Sequence, residues 1–236
     1  MHPMEPEGVE LHHRSYEVRA YSTRPGELLL RGKVTDQKPP GVYFKNDSEP
    51  LDIHHMIIDV SVSFPDLIIT DATVVMETHP HEGCIKIVDH YKKLVGLSIA
   101  RGFTKKVREL FGGPRGCSHT TALLHAMAPV AVQSVWSMRS VSATEQIVDP
   151  PVSDRESIEQ TRTRMAFNSN TCHIWADPSL MHDQIEVGLQ LPRPISAEER
   201  TQKLGQSMSS WGERISGASP SSQPSNAESR WSTLSS

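Results

Sequence analysis

The sequence is poor in most of the features that would announce a class of protein. No apolar run approaches the roughly 18 residues a membrane-crossing helix needs, so no membrane span is expected. There is no excess of positive charge. The 24 Lys and Arg residues stand against 28 Asp and Glu, for a net charge of −4, and the isoelectric point is near 6.3. No global cationic field draws such a chain onto nucleic acid or anionic lipid. Aromatics are scarce at 6%, and Trp136, Trp175, Trp211 and Trp231 are scattered rather than interleaved with basic residues as single-strand binders require. Cysteine is scarcer still, and three residues cannot all pair within one chain. The opening Met1-His2-Pro3-Met4-Glu5 has neither the basic nor the apolar stretch of a secretory signal. A cytoplasmic location with reduced thiols is therefore expected. Hydrophobic residues make up 36% with a mean hydropathy of −0.41. That apolar share is below the roughly 45% usual for globular domains, a benchmark that also counts glycine. Part of the chain is therefore expected to add nothing to a core.

That part is easily located. From residue 205 to the end, 12 of 32 residues are serine, and such a segment has too little apolar surface to offset the entropy of ordering. The organisation expected is a flexible N-terminus over 1–12, one domain over 13–192 and a Ser-rich disordered tail over 193–236, with a weak helix around 197–210. A polar stretch over 137–164 separates the centre of the domain from an island at 165–191.

The centre carries the structural signal. Leu28–Asp36 reads as a strand. In His55–Phe64, Met56, Ile58, Val60, Val62 and Phe64 alternate with Ile57, Asp59, Ser61 and Ser63, the period of a strand with one wet face. Pro65-Asp66 makes a turn, and Leu67–Thr78 is rich in β-branched residues, which predicts an antiparallel hairpin. The period then changes. Ile85–Leu94 and Phe103–Phe111 carry apolar residues at helical spacing, and a longer helix runs from about Ser118 to Val135, with a kink or an early stop at Pro129. Strands first and helices after them predict an α+β fold, a small antiparallel sheet covered on one face by helices.

Soft ligands gather at element ends. His54 and His55 open a strand; His79, His81, Glu82 and Cys84 lie between the hairpin and the first helix; Cys117 and His119 enter the long helix; Cys172 and His173 lie in the island. Thiolate and imidazole together suit zinc or iron, although no Cys-x-x-Cys or His-Glu-x-x-His spacing is present. Buried cysteines packing as small hydrophobes would explain the same residues without a metal. Cys117 beside a helix start, with His119 two residues on, also fits a cysteine nucleophile with its base. The alternative is that Gly112, Gly113 and Gly116 only provide the positive φ a sharp turn needs, with no catalytic role for Cys117. Arg101, Lys105 and Arg115, with Lys106 and Arg108, form a basic stretch that could hold a small anion at a helix start, or simply a solvated helix face.

Several motifs in order are similar to a proteobacterial family known as domain of unknown function 2889. They run from Arg14 through Gly26, Gly32, Asp36 and Lys38, then His55-Met56, Pro80-His81-x-x-Cys84, Leu94-Val95-Gly96-Leu97, Gly102-Phe103, Gly112-Gly113, Gly116-Cys117-Ser118-His119 and Asn170-x-Cys172-His173. The resemblance covers about residues 12–192 and implies no activity. The order of elements also resembles that of the U-type (NifU-like) iron–sulfur scaffold proteins, through Met56–Val62, Ile69-x-Asp71-Ala72, Gly83-Cys84, Gly96-Leu97-Ser98-Ile99 and Cys117-Ser118. That likeness implies a metal site of His55 or His54 with Cys84 and Cys117, and His81 or His119 as a fourth ligand. A histidine where the scaffold has its first cysteine favours one zinc or iron ion over a transient cluster. The function expected is thus a metal-binding protein, a mononuclear zinc or iron enzyme acting on a small anionic substrate. The alternatives are a cysteine-nucleophile enzyme using Cys117 and His119, or an accessory subunit docking a protein partner through its tail.

Overall fold

The computed structural model describes residues 7–142, 157–176, 180–188 and 194–206. The expected loose N-terminus up to residue 6, the middle of the polar stretch (143–156) and most of the Ser-rich tail (207–236) lie outside the described residues. The chain divides into two compact units at Met138/Arg139.

The first unit is built on four antiparallel strands, β1 (His13–Arg24), β2 (Glu27–Lys38), β3 (Leu51–Ser63) and β4 (Ile69–Thr78). They lie side by side in chain order, each paired with the next. The alternation read from the sequence sets the inner face. Leu28, Leu30 and Val34 of β2, Met56, Ile58, Val60 and Val62 of β3, and Ala72, Val74 and Met76 of β4 are all buried. On β3 the residues between them, such as Asp59 and Ser61, are less deeply covered. The fold is therefore α+β, with helices against one face of the sheet.

The covering layer begins with a 3₁₀ segment, Glu82–Leu94, which turns Tyr91 and Leu94 into the core. A helix is expected there, but at three residues per turn the buried positions are Tyr91 and Leu94, and Ile85 is exposed. Helix α1 spans Phe103–Phe111 as the sequence predicts, and buries Phe103, Val107 and Phe111. A short 3₁₀ turn, Gly113–Arg115, leads to α2, Ser118–Ser142. Of the glycines around it only Gly113 has positive φ. Gly116 is extended, and a Cβ there would fall 2.5 Å from the Phe111 carbonyl oxygen. Close approach, rather than handedness, excludes a side chain at that position.

Helix α2 continues through Pro129 instead of stopping. Proline removes one backbone bond, but Leu123, Leu124, Met127, Ala131, Val135 and Met138 are buried along the helix on both sides of it. Their burial in the shared hydrophobic core offsets the loss. Helix and sheet pack tightly at Gly32, where a Cβ would sit 2.7 Å from Met127 Sδ and 3.1 Å from Leu123 Cδ1.

The second unit contains three short helices, α3 (Ile158–Met165), α4 (Leu180–Glu186) and α5 (Ile195–Lys203). Met165 and Ile185 are buried, and Arg162 forms an ion pair with Glu186. No helix among the described residues is long and apolar enough to cross a membrane.

Candidate metal centre

Strand register places three polar residues in one row across the sheet. Arg14 of β1 stands opposite Asp36 of β2, and Asp36 stands opposite His54 of β3. Asp36 and His54 share parity with the buried apolar residues of their strands, and Arg14 shares it with the half-buried Val18 and Ala20 of β1, so the three extend the inner face beyond the end of the core. Asp36 closes the inward series Leu28, Leu30, Gly32, Val34. A β-bulge follows it at once, where the register shifts between Asp36 and Gln37. Bulges of this kind commonly stand beside functional sites and re-aim side chains.

The fourth member comes from the other layer. His119, in the first turn of α2, brings Nε2 to 2.8 Å from Asp36 Oδ2. His54 Nδ1 lies 3.1 Å from the same oxygen, and the two imidazoles stack with centroids 3.7 Å apart. Arg14 grips Asp36 with both arms of its fork, Nε to Oδ1 at 2.5 Å and Nη2 to Oδ2 at 2.6 Å. His12 Nε2 adds a contact to Oδ1 at 3.3 Å.

Burial and charge determine the protonation of this cluster. Burial works against an ionised Asp36, but the Arg14 fork and the surrounding imidazoles outweigh it and hold the carboxyl well below its usual range. Arg14 is held protonated, above all by its bond to Asp36. His54 is pushed down by burial, against the pull of Asp36. His119 is pushed down by burial and by the neighbouring His54. Near neutrality the cluster is therefore one carboxylate, one guanidinium and two neutral imidazoles. Neutral imidazole is the form that binds a metal. Among the described residues, Asp36, His54 and His119 are the group of His, Cys, Asp or Glu whose ligand atoms could hold one ion, all lying within 4.8 Å of one another.

Of the residues singled out from the sequence, the structure brings together His54, His119 and Cys117. Cys117 Sγ lies 3.7 Å from His119 Nδ1. The backbone of Cys117 is held by the buried Tyr91, whose hydroxyl accepts from Cys117 N at 2.8 Å and lies 3.3 Å from its carbonyl oxygen. His55 has the opposite parity to His54 and pairs with Glu77 at 2.8 Å. His81 is exposed, and its carbonyl oxygen accepts from Cys84 N and from His79 Nδ1. Cys84 packs against the core cluster. Cys172 and His173 belong to the second unit, in a short 3₁₀ turn where Cys172 is exposed. In the basic stretch, Arg115 donates to the carbonyls of Glu109 and Arg108 at 2.9 and 3.1 Å and so caps α1. Lys105 and Lys106 both pair with Glu109, and the Arg101 backbone bonds to Ser98.

His12, Arg14 and Asp36 escape a reading based on ligand motifs, because nothing local joins them. The signal available was parity. A carboxylate continuing the inward series of a strand needs a partner, and Arg14 sits at the matching level of the preceding strand.

A four-stranded sheet with an Arg–Asp–His row across three strands, closed by a histidine from a helix, defines an α+β protein with a buried cluster of metal-ligand character. The chain belongs to the family described as protein of unknown function, DUF2889, whose pattern matches residues 12–133, more than half of its length. His12, Arg14, Asp36, His54, Cys117 and His119 all lie inside that match. No curated protein matches the chain, and no solved structure does. The likeness to U-type scaffold proteins thus rests on the order of motifs alone.

Proposed function

We propose that the first unit is a mononuclear metal protein, with zinc or iron held by Asp36, His54 and His119. The observation that carries this reading is the convergence of an ionised carboxylate and two neutral imidazoles within 4.8 Å. The residue types suit a borderline metal, and two imidazole nitrogens beside one carboxylate oxygen favour zinc or iron over calcium or magnesium. The Arg14 fork on Asp36 then serves as the outer support that orients a ligating carboxylate. Three protein ligands leave room for water or substrate, and a metal there supplies Lewis-acid or metal-hydroxide chemistry on a small anionic substrate. The reading takes the protein to be cytoplasmic, where Cys84, Cys117 and Cys172 remain free thiols.

Elemental analysis of the full chain, purified without an affinity tag from cells grown with added zinc and iron, tests it. About one equivalent of metal per chain is expected in the wild type, with loss in His119→Ala and in His54→Ala. A metal-free wild type, or full loading in the double variant, would refute the site.

The Cys117–His119 contact at 3.7 Å favours a second reading, a thiolate nucleophile with its base. It requires rapid stoichiometric alkylation of Cys117 below neutral pH in metal-free protein; slow alkylation excludes it.

A further inference from the structure

Access to the metal centre is uneven. The Asp36 side chain is 2% exposed, His119 14% and His54 18%, whereas Arg14 and His12 are 38% and 39% exposed. A solute reaching the cluster therefore meets Arg14 and His12 first. We infer that Arg14, flanked by His12, is the specificity arm of this site and receives the oxyanion of a small carboxylate or phosphate substrate. The inference rests on the metal reading above.

Geometry supports the role. Two N–H groups of the guanidinium are fixed on Asp36. A guanidinium carries five N–H groups in a rigid plane, so donors remain beyond those contacts on a side chain that is already immobilised. Preorganised donors lose little entropy on binding, and a fork matches a planar carboxylate or a phosphate edge.

In the basic stretch, Arg115 is engaged with the carbonyls of Glu109 and Arg108, and Lys105 and Lys106 with Glu109.

The test uses the zinc-loaded full chain in isothermal titration with two probes, inorganic phosphate and acetate. At least one is expected to bind the wild type, and the one that binds identifies the substrate oxyanion as tetrahedral or planar. Arg14→Gln, kept loaded by added zinc, is expected to weaken that binding roughly tenfold or more, the scale of losing a charge-assisted bond. Arg14→Lys keeps the charge without the fork and should fall between the two, and it serves as the test if Arg14→Gln does not fold. Anion affinity unchanged in both variants, or no binding of either probe to a zinc-loaded wild type, overturns the inference while the metal site stands. Loss of zinc from Arg14→Gln and Arg14→Lys also overturns it, by making Arg14 a support for the metal alone. A wild type that takes up no zinc removes the metal reading itself, and this inference with it.

Discussion

Adding a single methyl group to Gly32 tests how the helix layer is seated on the sheet. In Gly32→Ala the new Cβ would meet Met127 Sδ at 2.7 Å and Met127 Cγ and Leu123 Cδ1 at 3.1 Å. The first distance is too short for any packed pair, and both side chains are fully buried, so neither has an open direction in which to yield. Alanine in a strand ordinarily gains about 0.5–1 kcal/mol over glycine, whereas overpacking a filled core costs about 1–3 kcal/mol. The second effect should win by about 1–2 kcal/mol. For a chain of this size that lowers Tm by roughly 2–8 °C, measurable by circular dichroism and by urea unfolding. A second readout follows from position. Gly32 lies four residues before Asp36 on the same face, and α2 carries His119, so lifting the helix moves His119 away from Asp36 and His54 and should weaken the metal binding proposed above. In a Met127→Ala background the nearest clash disappears and Gly32→Ala should become neutral or stabilising, a coupling of about 0.5–3 kcal/mol. A Gly32→Ala protein as stable as wild type, or no coupling to Met127, would refute the account of the helix–sheet contact.

Tyr91→Phe keeps the ring stacked on Phe111, with centroids 4.7 Å apart, but removes the hydroxyl that holds both backbone groups of Cys117. A loss of about 1–3 kcal/mol in chemical denaturation, together with faster alkylation of Cys117, is expected; wild-type values for both would count against a pinning role. Burial, with the charge of Arg108, pushes His125 below its usual value, and its Nδ1 is buried without a hydrogen-bond partner. Between that lowered value and the unfolded value near 6.5 the unfolded chain binds more protons. Its contribution to stability is therefore complete above about pH 6.5 and fades as pH falls towards the folded value. Metal-free protein should melt earlier at pH 5 than at pH 7, with a smaller difference in His125→Gln; equal pH dependence in the two proteins would disprove this.

Local patterns made much of the fold legible. The alternation at Met56–Val62 marks β3 because each residue obeys one rule independently of the rest of the chain. The spacing of Phe103, Val107 and Phe111 fixes α1 in the same way. Strand β1, His13–Arg24, escapes because it lies at the edge of the sheet, where Val18 and Ala20 are only half-buried and polar residues dominate both flanks. The site was half legible. His54 and His119 stand out as metal-ligand types, yet choosing between His54 and His55 requires parity, and His54 shares the inward phase of Met56 and Ile58. Asp36 and Arg14 become members only once the pairing of β1, β2 and β3 is known. Register is a long-range property that turn lengths and hydrophobic phase set together. Helix α2 passing through Pro129 is equally non-local, since what sustains it is burial in the shared hydrophobic core.

The plain up-and-down order of the strands has a consequence for how the cluster comes into being. Hairpin contacts between neighbours in the chain close small loops and form early compared with distant pairings. Arg14, Asp36 and His54 are therefore aligned as soon as three successive strands zip together, whereas His119 arrives from more than sixty positions further along, when α2 docks. The nascent chain first displays an open platform of fixed charge, and the last imidazole closes over it like a latch. An ion captured at that stage would favour the closed state over the open one, linking cofactor supply to the final step of maturation.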